Sequence, residues 1–160
     1  MTFAQAQGNT DKTLEQFKTL TVDQQLAVLW FMYTKMGKSI TPAAPGAAEA
    51  DIAEGVFKQI QELSQEEQLQ VQRDILQQTS TEITREYGSL NDNTKLLVWY
   101  RLAQGMDEGS IIPMPENYEM SDTEESVLAA VESLEFQQQI TFLRNLVSPT
   151  GSDPKSGASI

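Results

Sequence analysis

Two segments of the sequence gather its large, polarisable side chains: Leu26-Ala-Val-Leu-Trp30-Phe-Met-Tyr33-Thr-Lys-Met36 and Leu96-Leu-Val-Trp99-Tyr100-Arg-Leu-Ala-Gln-Gly-Met106. Aromatic rings and thioethers at such spacing suit dispersion contact with a flat or apolar molecule. They do not suit proton transfer. The chain contains neither His nor Cys, so the commonest general base, the imidazole metal ligand, thiolate catalysis, iron–sulfur ligation and thioether attachment of a prosthetic group are all excluded. Asp and Glu are plentiful, yet they show neither a paired-carboxylate spacing nor a nucleophile–base pair, and an enzymatic function is not expected.

The charge balance narrows the partners. Eleven Lys and Arg stand against 23 Asp and Glu, giving a formal charge of -12 that repels nucleic-acid phosphates and anionic lipid. No apolar run approaches the ~20 residues of a membrane span, and the opening Met1-Thr2-Phe3-Ala4-Gln5 lacks the basic and apolar regions of a signal peptide. A cytoplasmic location is expected. With 160 residues, one domain can bury a core without disulfides or metals.

The elements that must position the aromatic segments are helices. Val22, Leu26, Leu29, Trp30, Tyr33 and Met36 recur at three and four, as do Leu96, Trp99, Tyr100, Ala103 and Met106. Stripes of this kind ordinarily build a core, and spacing alone leaves that alternative open. Trp99 and Tyr100 are adjacent and diverge by about 100° around a helix, so one of them can line a cavity while the other packs elsewhere. Helix starts are predicted at Thr21, Ser64, Thr79 and Ser121, each a hydroxyl followed three residues later by Glu or Gln. No stretch alternates as a strand does, and the expectation is an all-α fold of about eight helices. Residues 1–10 read as a flexible arm, 11–147 as the helical domain, and 148–160, rich in Ser, Gly and Pro, as a disordered tail.

Sliding the chain against itself by about 70 residues brings Phe17 onto Tyr87, Leu26 onto Leu96, Trp30 onto Tyr100 and Met36 onto Met106; one further residue aligns Pro42 with Pro113, Asp51 with Asp122 and Arg73 with Arg144. Helical period does not put Pro, Asp and Arg into register, which favours a duplication. Two four-helix halves about a pseudo-twofold axis are expected, with a ligand-sized seam between them. Two connectors bear on this reading: the small-residue turn Ser39-Ile-Thr-Pro-Ala-Ala-Pro-Gly-Ala-Ala48, and the stiff Ile111-Ile112-Pro113-Met114-Pro115-Glu-Asn-Tyr118, which ends in an aromatic and is able to pin one end of a flat ligand; on these residues alone both are equally well rigid helix connections.

Together, Leu26-Ala-Val-Leu-Trp30-Phe-Met-Tyr33 with Met36-Gly37-Lys38, Pro42-Ala-Ala-Pro-Gly-Ala-Ala48, Leu96-x-x-Trp99-Tyr100-Arg101-Leu102, Pro113-x-Pro115-x-x-Tyr118 and Gln138-Gln-Ile-Thr-Phe-Leu-Arg144-Asn145 resemble the N-terminal domain of the cyanobacterial orange carotenoid proteins over nearly the whole chain. Because the sequence ends just after the linker begins, the nearer resemblance is to the helical carotenoid proteins. The resemblance implies two four-helix halves around a tunnel for one non-covalent ketocarotenoid: canthaxanthin, echinenone or 3'-hydroxyechinenone. It implies tunnel contacts from Leu26, Leu29, Trp30, Tyr33, Met36, Leu96, Trp99, Tyr100, Met106, Met114, Tyr118 and Ile140, with Trp30 and Trp99 flanking one terminal ring. Met114 and Gln72 depart from the family, which has a smaller branched residue and a Met there. Arg144 matches a residue that contacts the phycobilisome antenna on the thylakoid surface. The implied function is photoprotection by quenching singlet oxygen and phycobilisome excitation, with a C-terminal-domain homologue as pigment donor. The alternative is a helical interaction adaptor whose aromatic stripes are only core.

Overall fold

A computed structural model describes residues 3–36 and 50–153, the side chains from residue 10. Among the described residues it contains eight helices and no strand. They are α1 (Phe3–Lys18), α2 (Val22–Met36), α3 (Ala50–Gln61), α4 (Gln65–Gln77), α5 (Glu82–Gly88), α6 (Asp92–Glu108), α7 (Asp122–Glu132) and α8 (Phe136–Val147). The 39–48 connector, residues 154–160 and the side chain of Met36 lie outside the described residues.

Three of the predicted starts form as written. Thr21 and Gln24 exchange hydrogen bonds (3.0 and 3.2 Å), as do Ser64 with Glu67 and Ser121 with Glu124, each pair satisfying two backbone donors that a helix leaves orphaned. The fourth start is shifted. Thr81, not Thr79, caps α5, because its partner at the third position is the hydroxyl of Thr84 instead of a carboxylate. Asn91 caps α6 through its side-chain oxygen, 2.8 Å from the Thr94 amide. That helix stops at Gly109, whose φ of 87° costs a side-chain-bearing residue strain and glycine almost none.

The helices group as α1, α2, α7 and α8 in one bundle and α3 to α6 in the other. The bundles are therefore not the contiguous sequence halves; the first two helices of each half pack with the last two of the other. Contacts across the bundles join α2 to α4, α6 to α8 and α2 to α6. Packing pairs come in matched sets, α2 with α7 and α6 with α3, α1 with α8 and α5 with α4. Long α2 and α6 meet at the centre, which places both aromatic segments side by side.

Two domain boundaries differ from expectation. Helix α1 begins at Phe3, so residues 3–10 belong to a helix and do not form a separate arm. Residues 148–153 form a strap that packs across the ends of α4, α5 and α6: the Gly151 amide donates to the Ile75 carbonyl (2.8 Å) and the Ser152 amide to the Thr84 carbonyl (3.0 Å). Linker-like composition is compatible with this docking because small residues let backbones approach. A Cβ on Gly88 would fall 2.0 Å from the Ser152 oxygen.

Candidate functional site

On α2, Leu26, Leu29, Trp30 and Tyr33 occupy positions i, i+3, i+4 and i+7, one face of the helix. Trp99, Leu102, Ala103 and Met106 present the facing stripe of α6, and Gln72 closes the cleft from α4. These nine residues enclose about 220 Å³, including the space open to solvent; the interior void is only about 10 Å³, roughly room for one water. Trp30, Ala103 and Met106 are half-buried, and the other six lining residues are buried. Eight of the nine lining residues are apolar or aromatic, a set that attracts by dispersion and area burial and has little to offer a charged ligand.

The polar edges of two of the three aromatic walls, Tyr33 and Trp99, are already occupied. Tyr33 donates its hydroxyl to the Leu96 carbonyl on α6 (3.1 Å), and Trp99 donates its indole N–H to the Tyr87 hydroxyl (2.8 Å). Tyr87 shares a further hydrogen bond with the Thr150 hydroxyl (2.9 Å), and Lys95, buried 5.4 Å from the Tyr87 ring centre, donates to the Ser148 and Thr150 carbonyls (2.8 and 2.9 Å). One polar network thus runs from the strap to the wall of the cleft. Burial pushes the Tyr33 and Tyr87 phenols well above their usual pKa and draws the Lys95 ammonium below its own. Both phenols therefore remain neutral hydrogen-bonding groups at physiological pH.

Of the twelve candidate binding residues, Leu26, Leu29, Trp30, Tyr33, Trp99 and Met106 come together in the cleft. Leu96, Tyr100, Met114, Tyr118 and Ile140 stand outside the described lining, and the side chain of Met36 lies outside the described residues. Tyr100 packs on the Tyr33 ring at 6.5 Å, and Leu96 supplies the carbonyl that holds Tyr33; both are half-buried behind the wall. Ile140, on α8, packs partly buried against the core. Met114 and Tyr118 lie in the connector after α6, where Tyr118 donates to Glu124 (2.6 Å) and its ring sits 6.4 Å from Phe31. Burial and that carboxylate push the Tyr118 phenol up to about 12. Phe31 in turn meets Trp30 edge-on at 4.9 Å, so an aromatic row links the connector to the cleft. Helical spacing marks Ala103 as part of the stripe and Leu102 as its neighbour. The spacing does not mark Gln72, because a polar side chain gives no hint that it faces an apolar cleft; the resemblance, which has a Met there, is what singles it out.

Arg144 is half-buried, with its Nε donating to Asn93 (3.0 Å). Its counterpart in the 71-residue register, Arg73, instead grips Asp23 at 2.7 and 3.2 Å. The charge of Arg73 is matched locally; that of Arg144 faces a neutral amide. Among the described residues no group of three or more acidic, His or Cys side chains is placed to hold a metal, and no helix is long and apolar enough to cross a membrane.

The family model for the N-terminal domain of orange carotenoid protein matches residues 3–153. An orange carotenoid-binding domain-containing protein of Nostoc sp. strain PCC 7120 is 49% identical over 142 residues, covering 89% of this chain and 83% of its own. The orange carotenoid-binding protein of Limnospira maxima is 41% identical over 141 residues, 88% of this chain and 44% of its own length. Among solved structures, the canthaxanthin-binding red carotenoid protein of Anabaena (Nostoc) sp. PCC 7120 superposes with a TM-score of 0.82 at 44% identity, over 90% of this chain and 99% of that one. Fold, aromatic cleft and sequence likeness agree, and the chain belongs to the family of orange carotenoid protein N-terminal domains.

Proposed function

We propose that the chain binds one ketocarotenoid non-covalently in the cleft between α2 and α6 and serves in photoprotection, quenching singlet oxygen and, on docking, phycobilisome excitation. The observation that carries this reading is the cleft itself: aromatic, thioether and aliphatic walls in which the Tyr33 hydroxyl and the Trp99 indole N–H are turned away onto protein partners. A polyene has no charge and polar atoms only on its end rings, so such walls fit it. When bound, the pigment supplies the low-lying excited states that accept energy from singlet oxygen or bilin. The chain's own residues solubilise and orient it. In this reading Trp30 and Trp99, which both line the cleft, flank a ring, and half-buried Trp30 and Met106 move aside to admit a rod longer than the present void. Tyr100, Met114, Tyr118 and Ile140 extend the contact surface once the cleft widens.

Canthaxanthin, bound by the similar red carotenoid protein, is one candidate pigment, alongside echinenone and 3'-hydroxyechinenone. A C-terminal-domain homologue is the proposed donor, and the cytoplasmic face of the thylakoid is the proposed location. Arg144 is the proposed antenna contact, since its charge is less neutralised than that of Arg73. Protein purified from a ketocarotenoid-producing host should be orange to red, with one pigment per chain by extraction. Colourless, helical protein from several such hosts contradicts the reading. For the antenna, Arg144→Glu holoprotein should lose any quenching of phycobilisome fluorescence that the wild type shows; unchanged quenching rules out the contact.

A further inference from the structure

Three side-chain groups join the cleft wall to the strap, and each has a single proton to give: the Trp99 indole N–H, the Tyr87 hydroxyl and the Thr150 hydroxyl. Counting those protons gives the hydrogen bonds one direction. The indole nitrogen is only a donor, so at 2.8 Å it donates to the Tyr87 oxygen. The Thr150 hydroxyl also meets the Val147 carbonyl, which only accepts, so its proton is committed there. The 2.9 Å contact between the two hydroxyls is then closed by the Tyr87 proton, with the Thr150 oxygen accepting. The chain therefore runs from Trp99 through Tyr87 and Thr150 to Val147, out of the cleft wall and into the strap. Its far end is held by the docking of the strap itself: Lys95 donates to the Ser148 and Thr150 carbonyls, and the Gly151 and Ser152 amides donate to the Ile75 and Thr84 carbonyls. Tyr87 is fully buried and Thr150 only 7% exposed, so bulk water does not replace a lost partner.

We propose that Tyr87 and Thr150 are positioning residues of the pigment site: they hold the Trp99 indole at one angle against the cleft between α2 and α6, so that the docked strap presets a wall that the carotenoid meets. The inference rests on the carotenoid-binding reading above. Neither residue lines the cleft, and each acts through Trp99. The torsion between an indole and its Cβ has broad wells, and the N–H bond to Tyr87 selects one orientation among them. A wall already fixed in the ligand-free chain spares binding the loss of that freedom, and immobilising one such side chain is worth about two- to tenfold in affinity. The Tyr33 wall has no such dependence on the strap, because its hydroxyl donates directly to a backbone carbonyl of α6.

Two substitutions at one position separate this role from packing. Thr150→Val keeps the shape of the side chain and removes the acceptor oxygen, whereas Thr150→Ser keeps the oxygen and trims a methyl; packing favours Val, the hydrogen-bond chain favours Ser. Gly88→Ala reaches the same chain from its far end, since a Cβ there would fall 2.0 Å from the Ser152 oxygen and displace the strap without altering any group of the chain or the cleft. The wild type and the three full-length variants are loaded with canthaxanthin and mixed with excess phosphatidylcholine vesicles, and pigment loss is followed by absorption. In parallel, the two indole N–H resonances of each ligand-free, isotope-labelled protein are recorded. Pigment should leave Thr150→Val and Gly88→Ala about five times faster than the wild type and leave Thr150→Ser at nearly the wild-type rate. The Trp99 indole resonance should move in the first two variants only, while that of Trp30 stays in place. A single loss rate in all four proteins, or a Thr150→Ser that behaves as Thr150→Val does, overturns the proposal. If Gly88→Ala fails to fold, the Thr150 pair decides. A wild type that takes up no canthaxanthin contradicts the carotenoid reading and the proposal with it, an outcome distinct from uptake followed by equal loss, which overturns the proposal alone.

Discussion

The two tryptophans of the chain line one cleft and are held in opposite ways. Trp99 is 4% exposed, locked by its hydrogen bond to Tyr87 and, through Tyr87, Thr150 and Lys95, by the strap that crosses the end of its helix. Trp30 is half-buried, makes no side-chain hydrogen bond among the described residues and leans edge-on against Phe31. One is a wall fixed by the fold; the other is a panel positioned chiefly by contact. Burial and polar satisfaction go to stability on the α6 side, whereas the α2 side keeps an aromatic surface that has more to gain from a ligand than from the protein.

Removing the fixed wall should have the largest effect on the fold. Trp99→Ala leaves a cavity and deprives the buried Tyr87 hydroxyl of a donor, a loss of ~3–5 kcal/mol and on the order of 10 °C in melting temperature. Trp30→Ala should cost only ~1–2 kcal/mol, because a half-exposed ring transfers less area out of water. Equal destabilisation by the two in thermal unfolding would erase the distinction drawn between them.

The buried phenols on either side of the cleft give the next effect. Burial raises the pKa of Tyr33 and Tyr87 above the ordinary value of 10.0, so the folded chain keeps their protons where the unfolded chain releases them. Their stabilising contribution is whole below about pH 10 and lost as pH rises beyond it, by up to ~1.4 kcal/mol per pH unit for each phenol. Lys95 acts in the opposite sense below 10.5, since its folded pKa is lowered; its contribution levels off above that pH. Helical circular dichroism should therefore collapse on the alkaline side, less steeply in Tyr33→Phe. Identical steepness in both proteins would show that Tyr33 is not among the groups that titrate on unfolding.

The matched arginines should give the smallest change. Arg73 and Asp23 form a partly exposed ion pair worth ~0.2–1 kcal/mol, screened by salt. Asn93→Asp would give Arg144 the same partner and should raise stability by a similar amount in low salt only. A gain that persists in molar salt would point to packing and not to charge.

The eight helices, three of the four marked starts and the central position of the aromatic segments were legible because each rests on local chemistry: a hydroxyl with Glu or Gln three residues on, or apolar spacing at three and four. The grouping of the helices into bundles was not. Nothing local distinguishes α1 and α2 packing with α3 and α4 from their packing with α7 and α8, since the stripes are apolar in both cases. At the strap, the Ser, Gly and Pro composition of an unstructured segment is also that of a segment built for close backbone approach, and only Tyr87, Gly88 and Lys95, distant in sequence, decide which it is. In the cleft, six residues that the family resemblance implied also share two helical faces; the spacing alone did not mark Gln72, because a polar side chain gives no sign that it faces an apolar cleft, and only the resemblance, with a Met there, singled it out.

Pigment occupancy in Trp30→Ala and Phe57→Ala, expressed in the same ketocarotenoid-producing host, tests the assignment of the cleft most directly. Phe57 is buried under Arg101, 4.2 Å from the guanidinium carbon to the ring centre, and lies outside the cleft lining. The account predicts that Trp30→Ala, the more stable of the two, retains much less pigment per folded chain, while Phe57→Ala unfolds at lower temperature yet keeps close to one. Equal occupancy in both variants, each still helical, would contradict the placement of the carotenoid between α2 and α6.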